Sequence, residues 1–462
     1  GLFLSNNTNE KSISTAGFFK FFIPSLFGMI LFIIPLPYGS MFPIEGLSSV
    51  NIGIGFLAEL IKILLADYMN YIALVVIIAS AIFSIMSKFI KIKNDFLRTV
   101  LEVSPFWLTF RILGAIFIFM TIFKVGPEFI HSDVTGGTMI GVLPSLLAIF
   151  LVSGFLLPLV VDFGLMDLFG TLISKFMYKL FKVPGRSAID AISSWLGDGT
   201  LGIMITDTQY KQGFYTAKEA SIIAVCFSLV SLPFSTVIAD QLGFMDIFVP
   251  FYGTVCLASL ACALIMPRIY PLSKFKDTTY MGVEHLKEEV IPKGENVFAF
   301  GLKKAVERAE TSPSFGDIIL NGCKTVIDMY FGLLPLVMAW GTLALIVAEY
   351  TPFFTIISYP IVFILKLLAI PNAVEAAPAV LVGFTDMFLP SIMVSVDGIA
   401  EVTKFIIGVL SISQLIYLTE TGAVVLKSDI PLNLKDLLVV FLVRTAISLP
   451  IITLVAKFVI FA

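Results

Sequence analysis

Apolar residues do not alternate with polar ones along this chain. They run in blocks of about 20, the length a helix needs to cross a hydrocarbon core. Blocks of that kind are residues 17–38, 68–86, 105–123, 138–161, 220–238, 248–266, 326–348, 405–425 and 437–457, and each predicts a membrane-spanning helix. Residues 49–67 form a shorter block that contains Glu59 and Lys62. They predict an amphipathic or partial helix in which the two charges, at i and i+3, are placed to pair. Whether that block spans the bilayer is left open by its length. The expected fold class is an all-α polytopic membrane protein.

Composition sharpens this reading. Of 462 residues, 58% are hydrophobic and 14% charged, against roughly 25% charged in a soluble domain. A soluble enzyme, a nucleic-acid binder and a disordered scaffold are excluded. His131 and His285 are too few for a multi-histidine metal site or a histidine-based triad. Cys226, Cys256, Cys262 and Cys323 lie in or beside apolar runs, outside any C-x-x-C pair, and read as small buried hydrophobes. The net charge of −3 gives no reason to expect a polyanionic partner. There is no Walker A stretch, HExxH or GxSxG, so neither an enzyme nor a bound cofactor is expected. Opening at Gly1 without a methionine is what a processed or tagged chain shows. Residues 17–35 are too long an apolar run for a cleaved signal peptide.

Lys and Arg set the orientation, because short basic loops stay in the cytoplasm. Lys88, Lys91, Lys93 and Arg98 crowd one loop, and Lys175, Lys179, Lys182 and Arg186 mark a second. Residues 271–314 hold seven basic and seven acidic side chains and read as a solvated helix or flexible cytoplasmic linker. The loop 126–137 has Glu128 and Asp133 but no Lys or Arg, and reads as external.

Five landmarks recur in the same order. Gly141-Val-Leu-Pro144 lies over Gly332-Leu-Leu-Pro335, and Val183-Pro184 over Ile370-Pro371. Gly197-Asp198-Gly199-Thr200 lies over Gly383-Phe384-Thr385-Asp386, and Ile222-Ile223-Ala224-Val225 over Ile406-Ile407-Gly408-Val409. Ser235-Thr236 lies over Thr419-Glu420. Residues 184–207 and 371–394 are too short to cross twice. Asp190, Asp198, Glu375 and Asp386 interrupt them too often for one crossing. Each is expected to be a re-entrant helical hairpin, the first entered from the cytoplasm and the second from outside. Two inverted repeats with broken elements at the midplane are the layout of a secondary transporter. The expected units are 1–135, N-terminal transmembrane helices serving as scaffold or homo-oligomer contact; 136–270, the first repeat; 271–314, the cytoplasmic linker; and 315–462, the second, inverted repeat.

The candidate site follows from the breaks. Asp198, with Gly199 and Thr200, sits at an expected hairpin tip, where it is either a cation, amine or proton ligand or an N-cap. Thr385 and Asp386 are its repeat mates and carry the same two readings. Thr419 and Glu420 mark either a helix break that holds substrate or a carboxylate reaching the interface. Ser235 and Thr236 follow Pro233, which frees a backbone carbonyl. Gln414 reads as an interhelical hydrogen bond or a ligand. Glu375 and Asp190 read as interfacial. Arg111 and Arg444, inside apolar blocks, are expected to pair with acids or to snorkel.

The stretches Val183-Pro-Gly-Arg-Ser187, Trp195-Leu-Gly-Asp-Gly-Thr-Leu-Gly202 and Leu418-Thr-Glu-Thr-Gly422 carry a resemblance. From Gly141 onward the chain resembles nucleoside-recognition, or Gate, domain proteins. As a whole it looks like their YjiH-like branch of bacterial membrane proteins. The repeated order of elements is similar to that of concentrative nucleoside transporters. The resemblance implies a multi-pass protein of the bacterial inner membrane that carries a small polar solute. Nucleosides are the implied substrate, with amino acids or organic cations as alternatives; the carboxylates at the candidate site permit either H⁺ or Na⁺ as the drive. The other functional class is a non-transporting Gate-fold module for signalling or assembly.

Overall fold

The computed structural model describes residues 13–32, 34–196, 199–230, 235, 238–239, 241–288 and 291–462. Among them all regular structure is helical apart from one isolated bridge between Leu36 and Asn51. Seven of the described helices are long and apolar enough to cross a membrane. The N-terminal part comprises α1 (Thr15–Phe32), α2 (Gly53–Leu64), α3 (Met69–Met86) and α4 (Pro105–Phe123). Then come α5 (Gly136–Leu156), α6 (Leu165–Phe181), α7 (Ser187–Leu196), α8 (Gly199–Gln212), α9 (Ala217–Cys226) and α10 (Phe248–Ile265). After a polar stretch containing α11 (Val297–Glu310) follow α12 (Phe315–Tyr350), α13 (Tyr359–Leu367), α14 (Ala373–Val382) and α15 (Leu389–Val394). The chain ends with α16 (Glu401–Ser413), α17 (Thr421–Lys427) and α18 (Leu434–Val455).

Helix α12 organises one side of the molecule. Its 36 residues, at about 1.5 Å each, exceed the roughly 30 Å of a hydrocarbon core. The Ser314 side chain caps its start by accepting from Asp317 N–H at 3.3 Å. It packs against α3, α4 and α5. Gly114 of α4 lets the two backbones meet, since a Cβ there would lie 2.4 Å from the Pro335 carbonyl oxygen. Small residues at such contacts let helices approach closely where lipid supplies no hydrophobic drive. On the other side α10, α16 and α18 pack together, and one hydrophobic core runs through both groups.

The nine expected spans are not all continuous helices. The block at 220–238 is helical as α9 only to Cys226 before it unwinds, and the block at 405–425 is split into α16 and α17. Helix α2 has 12 residues, about 18 Å of rise, and does not span. Its charges do not pair with each other. Glu59 accepts from the N–H and hydroxyl of Ser48, and Lys62 donates to Ser145 Oγ at 3.2 Å. Serines from neighbouring segments reach each charge first.

The polar stretch 271–314 is not merely solvated. Helix α11 lays Phe300, Leu302, Ala305, Val306 and Ala309 inward and packs on α6 and α1. Glu288 reaches from the same stretch to accept the N–H groups of Gly185 and Arg186 at 3.1 and 3.0 Å.

Candidate functional site

Helices α7 and α8 form a hairpin whose arms are tied by a buried polar network. Asp190 Oδ2 accepts from Thr206 Oγ1 at 2.8 Å and from the Tyr215 hydroxyl at 3.0 Å. Its Oδ1 accepts from Gln209 Nε2 at 3.0 Å, and Gln209 Oε1 in turn accepts from Arg186 Nε at 2.5 Å. All five side chains are buried. Asp190 therefore lies in the hairpin's core, not at an interface. The signal was available in part: Asp190 and Gln209 lie on arms that must run antiparallel if the segment is a hairpin. Arg186 also meets Asp167 at 3.4 Å, and both Arg186 and Arg308 lie over the Phe214 ring, at 3.5 and 4.7 Å from the centroid. These groups line a cavity of about 260 Å³ beneath the hairpin, between α6 and the polar stretch. Burial raises the Glu288 carboxyl above its ordinary value, and the two backbone N–H groups it accepts oppose that shift.

Helices α14 and α15 form a second hairpin. Asp386 Oδ2 accepts from the N–H groups of Phe388 and Leu389 at 3.1 and 2.9 Å, so this carboxylate caps the returning arm. Its Oδ1 is also 3.3 Å from Thr419 Oγ1. Thr385 donates its hydroxyl to the Val382 carbonyl at 2.8 Å.

The hairpins meet the broken helix. Between α16 and α17, residues 414–420 are non-helical, and each of their N–H groups finds an acceptor. Leu418 N–H donates to the Phe384 carbonyl at 2.9 Å and Thr419 N–H to the Thr385 carbonyl at 3.1 Å. The break is thus stitched to the second hairpin's turn. Leu415 holds φ at +61°, a left-handed conformation that ends α16 without a glycine. The Tyr417 hydroxyl donates to the Ser411 carbonyl at 2.5 Å, and Thr421 Oγ1 donates to the Leu415 carbonyl at 2.5 Å. These bonds satisfy carbonyls that a helix end leaves orphaned. From the first hairpin, Gly199 packs on the far end of the break. A Cβ at Gly199 would lie 3.2 Å from Thr421 Cγ2 and 3.4 Å from the Ser228 carbonyl oxygen, which belongs to the unwound end of α9.

Gly199, Thr385, Asp386 and Thr419 are thereby brought together around the break, with Glu420 preceding α17. Thr200 and Ser235 are buried. Asp198 and Thr236 lie outside the described residues. Gln414 opens the break: its amide donates to the Val380 carbonyl at 2.9 Å and to Thr445 Oγ1 at 3.1 Å, the interhelical bond that was one of its two readings, and its Oε1 lies against Gly383. The arginines differ from expectation. Arg111 donates to Ser84 Oγ and the Val100 carbonyl, both at 2.8 Å, and Arg444 donates to main-chain carbonyls. Neither forms an ion pair among the described residues. Sequence reasoning missed Tyr417 and the Asp190 network. It flagged Arg444 but assigned it the wrong kind of partner.

A family model described as Gate, nucleoside recognition, matches residues 139–261, a stretch that holds the first hairpin and its flanking helices. An uncharacterized protein of Alkalihalophilus pseudofirmus is 45% identical over 461 residues, covering 98% of this chain and 97% of the relative. No solved structure matches the chain.

Proposed function

We propose, from the premise that this chain belongs to the Gate nucleoside-recognition family of polytopic helical membrane proteins, that it is a secondary active transporter of a small polar organic solute. The observation that carries this reading is the stitched helix break. Residues 414–420 are unwound, bonded to the turn of one hairpin, and touched at their far end by the tip of the other. Irregular backbone at membrane depth is tolerated where protein encloses it or where it lines a cavity. Discontinuous helices of this kind frame the central sites of secondary transporters. The two hairpins are read as re-entrant from opposite faces, each within one of two inverted repeats, so that either can open while the other stays shut. Gly199, Thr200, Thr385, Asp386, Thr419 and Glu420 are the residues assigned to the solute or coupling ion, with Asp198, Ser235 and Thr236 as their repeat counterparts. Nucleosides are the first solute class to test, followed by amino acids and organic cations. The location is the inner membrane of a bacterium, and the drive is an H⁺ or Na⁺ gradient.

The test is uptake by proteoliposomes of labelled nucleosides, amino acids and organic cations under imposed H⁺ or Na⁺ gradients. Gradient-dependent accumulation above protein-free liposomes is the expected result. Failure across all three classes would favour the non-transporting module.

A further inference from the structure

Arg444 lies in the middle of α18 and is completely buried. Its Nε and Nη2 donate to the Ser413 carbonyl at 3.1 and 2.9 Å, and its Nη1 donates to the Val225 carbonyl at 3.0 Å. Met266 Sδ lies 3.9 Å from Nη1. Ser413 is the last residue of α16, and Val225 is the penultimate residue of α9. Both helices unwind within their expected spans among the described residues, and the repeat expected from the sequence would give them matching places. One guanidinium therefore bridges the C-terminal ends of both. No carboxylate pairs with it among the described residues.

Each helix C-terminus presents roughly half a negative charge on carbonyls that lack intrahelical donors. Two such ends aimed at one buried point repel each other unless a cation stands between them. In discontinuous-helix transporters, half-helix ends and unwound carbonyls are the groups that take up Na⁺. We propose that Arg444 is a tethered cation that fills this junction in place of a solute ion, so that the native protein takes no Na⁺ there and removal of the guanidinium opens a site for a small monovalent cation. For coupling, which rests on the transporter reading, the consequence is that the gradient used is H⁺ rather than Na⁺. A long side chain anchored on α18 also explains how both helices stay unwound at fixed positions when no ion is bound.

The experiment reads thermal stability of the purified full chain in detergent at matched ionic strength. Wild type should melt at the same temperature in NaCl and in choline chloride. Arg444→Ala should melt several degrees lower in choline. Guanidinium at low millimolar concentration should restore it saturably and Na⁺ partly, while tetramethylammonium, too large for the junction, should not. Arg444→Lys, which keeps a charge, should retain most of the wild-type stability. Arg444→Met, similar in length and uncharged, should behave as the alanine variant does. If Arg444→Ala yields no folded protein, the comparison of Lys with Met decides. A folded Lys variant beside an unfolded Met variant supports the proposal, and equal behaviour of the two overturns it. Saturable stabilisation of wild type by Na⁺, or an alanine variant indifferent to every cation, also overturns it. Uptake is not the readout, so an absence of transport would sink the transporter reading without touching this one.

Discussion

Asp386 shows why a carboxylate inside such a protein needs its partners counted before it is given a role. Two backbone N–H groups at the start of α15 occupy Oδ2, while Oδ1 faces Thr419 across the helix break. Asn caps a helix about as well as Asp, and Ala loses about 1 kcal/mol. Asp386→Asn is therefore expected to leave the melting temperature near wild type, and Asp386→Ala to lower it. If Asp386 also serves the coupled ion, the Asn variant will be folded yet lose the pH dependence of uptake; retained dependence would leave it a cap only. Asp190 differs in having no face turned to the break. Replacing it with Ala strands the Gln209 and Tyr215 donors in a buried network, while Thr206 keeps the Gly202 carbonyl, and should cost about 3 kcal/mol or more. Tyr215→Phe removes one donor to Asp190 and one acceptor of Gln209 and should cost about 1 kcal/mol. Melting curves that ranked the two variants the other way would mean the network does not hold the hairpin. The sequence singled out Asp386 by repeat order, and the structure sets it at the turn between α14 and α15. The sequence misjudged Asp190 because depth in a fold depends on what packs over a residue, not on its neighbours in the chain.

At the scale of elements, each hairpin depends on close approach of its arms. A Cβ at Gly202 would fall 1.7 Å from Ser194 Oγ and 3.1 Å from the Asp190 carbonyl oxygen. Gly202→Ala asks Ser194 to rotate and still leaves contacts of 3.0 Å to Ser194 Cβ and 3.1 Å to the Asp190 carbonyl oxygen, so the arms must give by a few tenths of an ångström. Gly202→Val should force α7 from α8 at about 1–3 kcal/mol of overpacking and break the Asp190–Thr206 bond, giving a poorly monodisperse protein on size exclusion. A monodisperse valine variant with unchanged melting would show that the arms are not in contact there. The helix breaks were only half legible. Glu420 and Pro233 drew attention to the right blocks, yet α16 ends at Ser413, well before Glu420. No glycine or proline marks that stop. Leu415 takes the left-handed conformation because Tyr417, Thr421 and Arg444 supply donors to the carbonyls it frees. Two of these three donors come from beyond the break, so local propensity carried no trace of it.

For the whole molecule the decisive quantity is which face each polar segment occupies. On a background without the four native cysteines, single Cys at Lys175 and Lys211, both exposed and flanking the first hairpin, should react with an impermeant thiol reagent from the same side. Cys at Lys293 should share that side, and Cys at Asp133 the opposite one. Labelling of Lys175 and Lys211 from different sides would turn the hairpin into a span and remove the inverted repeat. Blocks of apolar residues by themselves determined that the chain is a helical membrane protein, because no backbone leaves its amides unpaired in hydrocarbon. The order of Pro, Gly and Asp landmarks also located both hairpins, since those residue types act on their own backbone. Only the tertiary structure decided which groups meet. The stitching of 418–419 to 384–385, the packing of Gly199 on Thr421, and the guanidinium between two helix ends join residues 31 to 222 positions apart. Such contacts are fixed by helix packing and by the need to satisfy buried carbonyls, and neither is written in the spacing of residues along one strand of sequence.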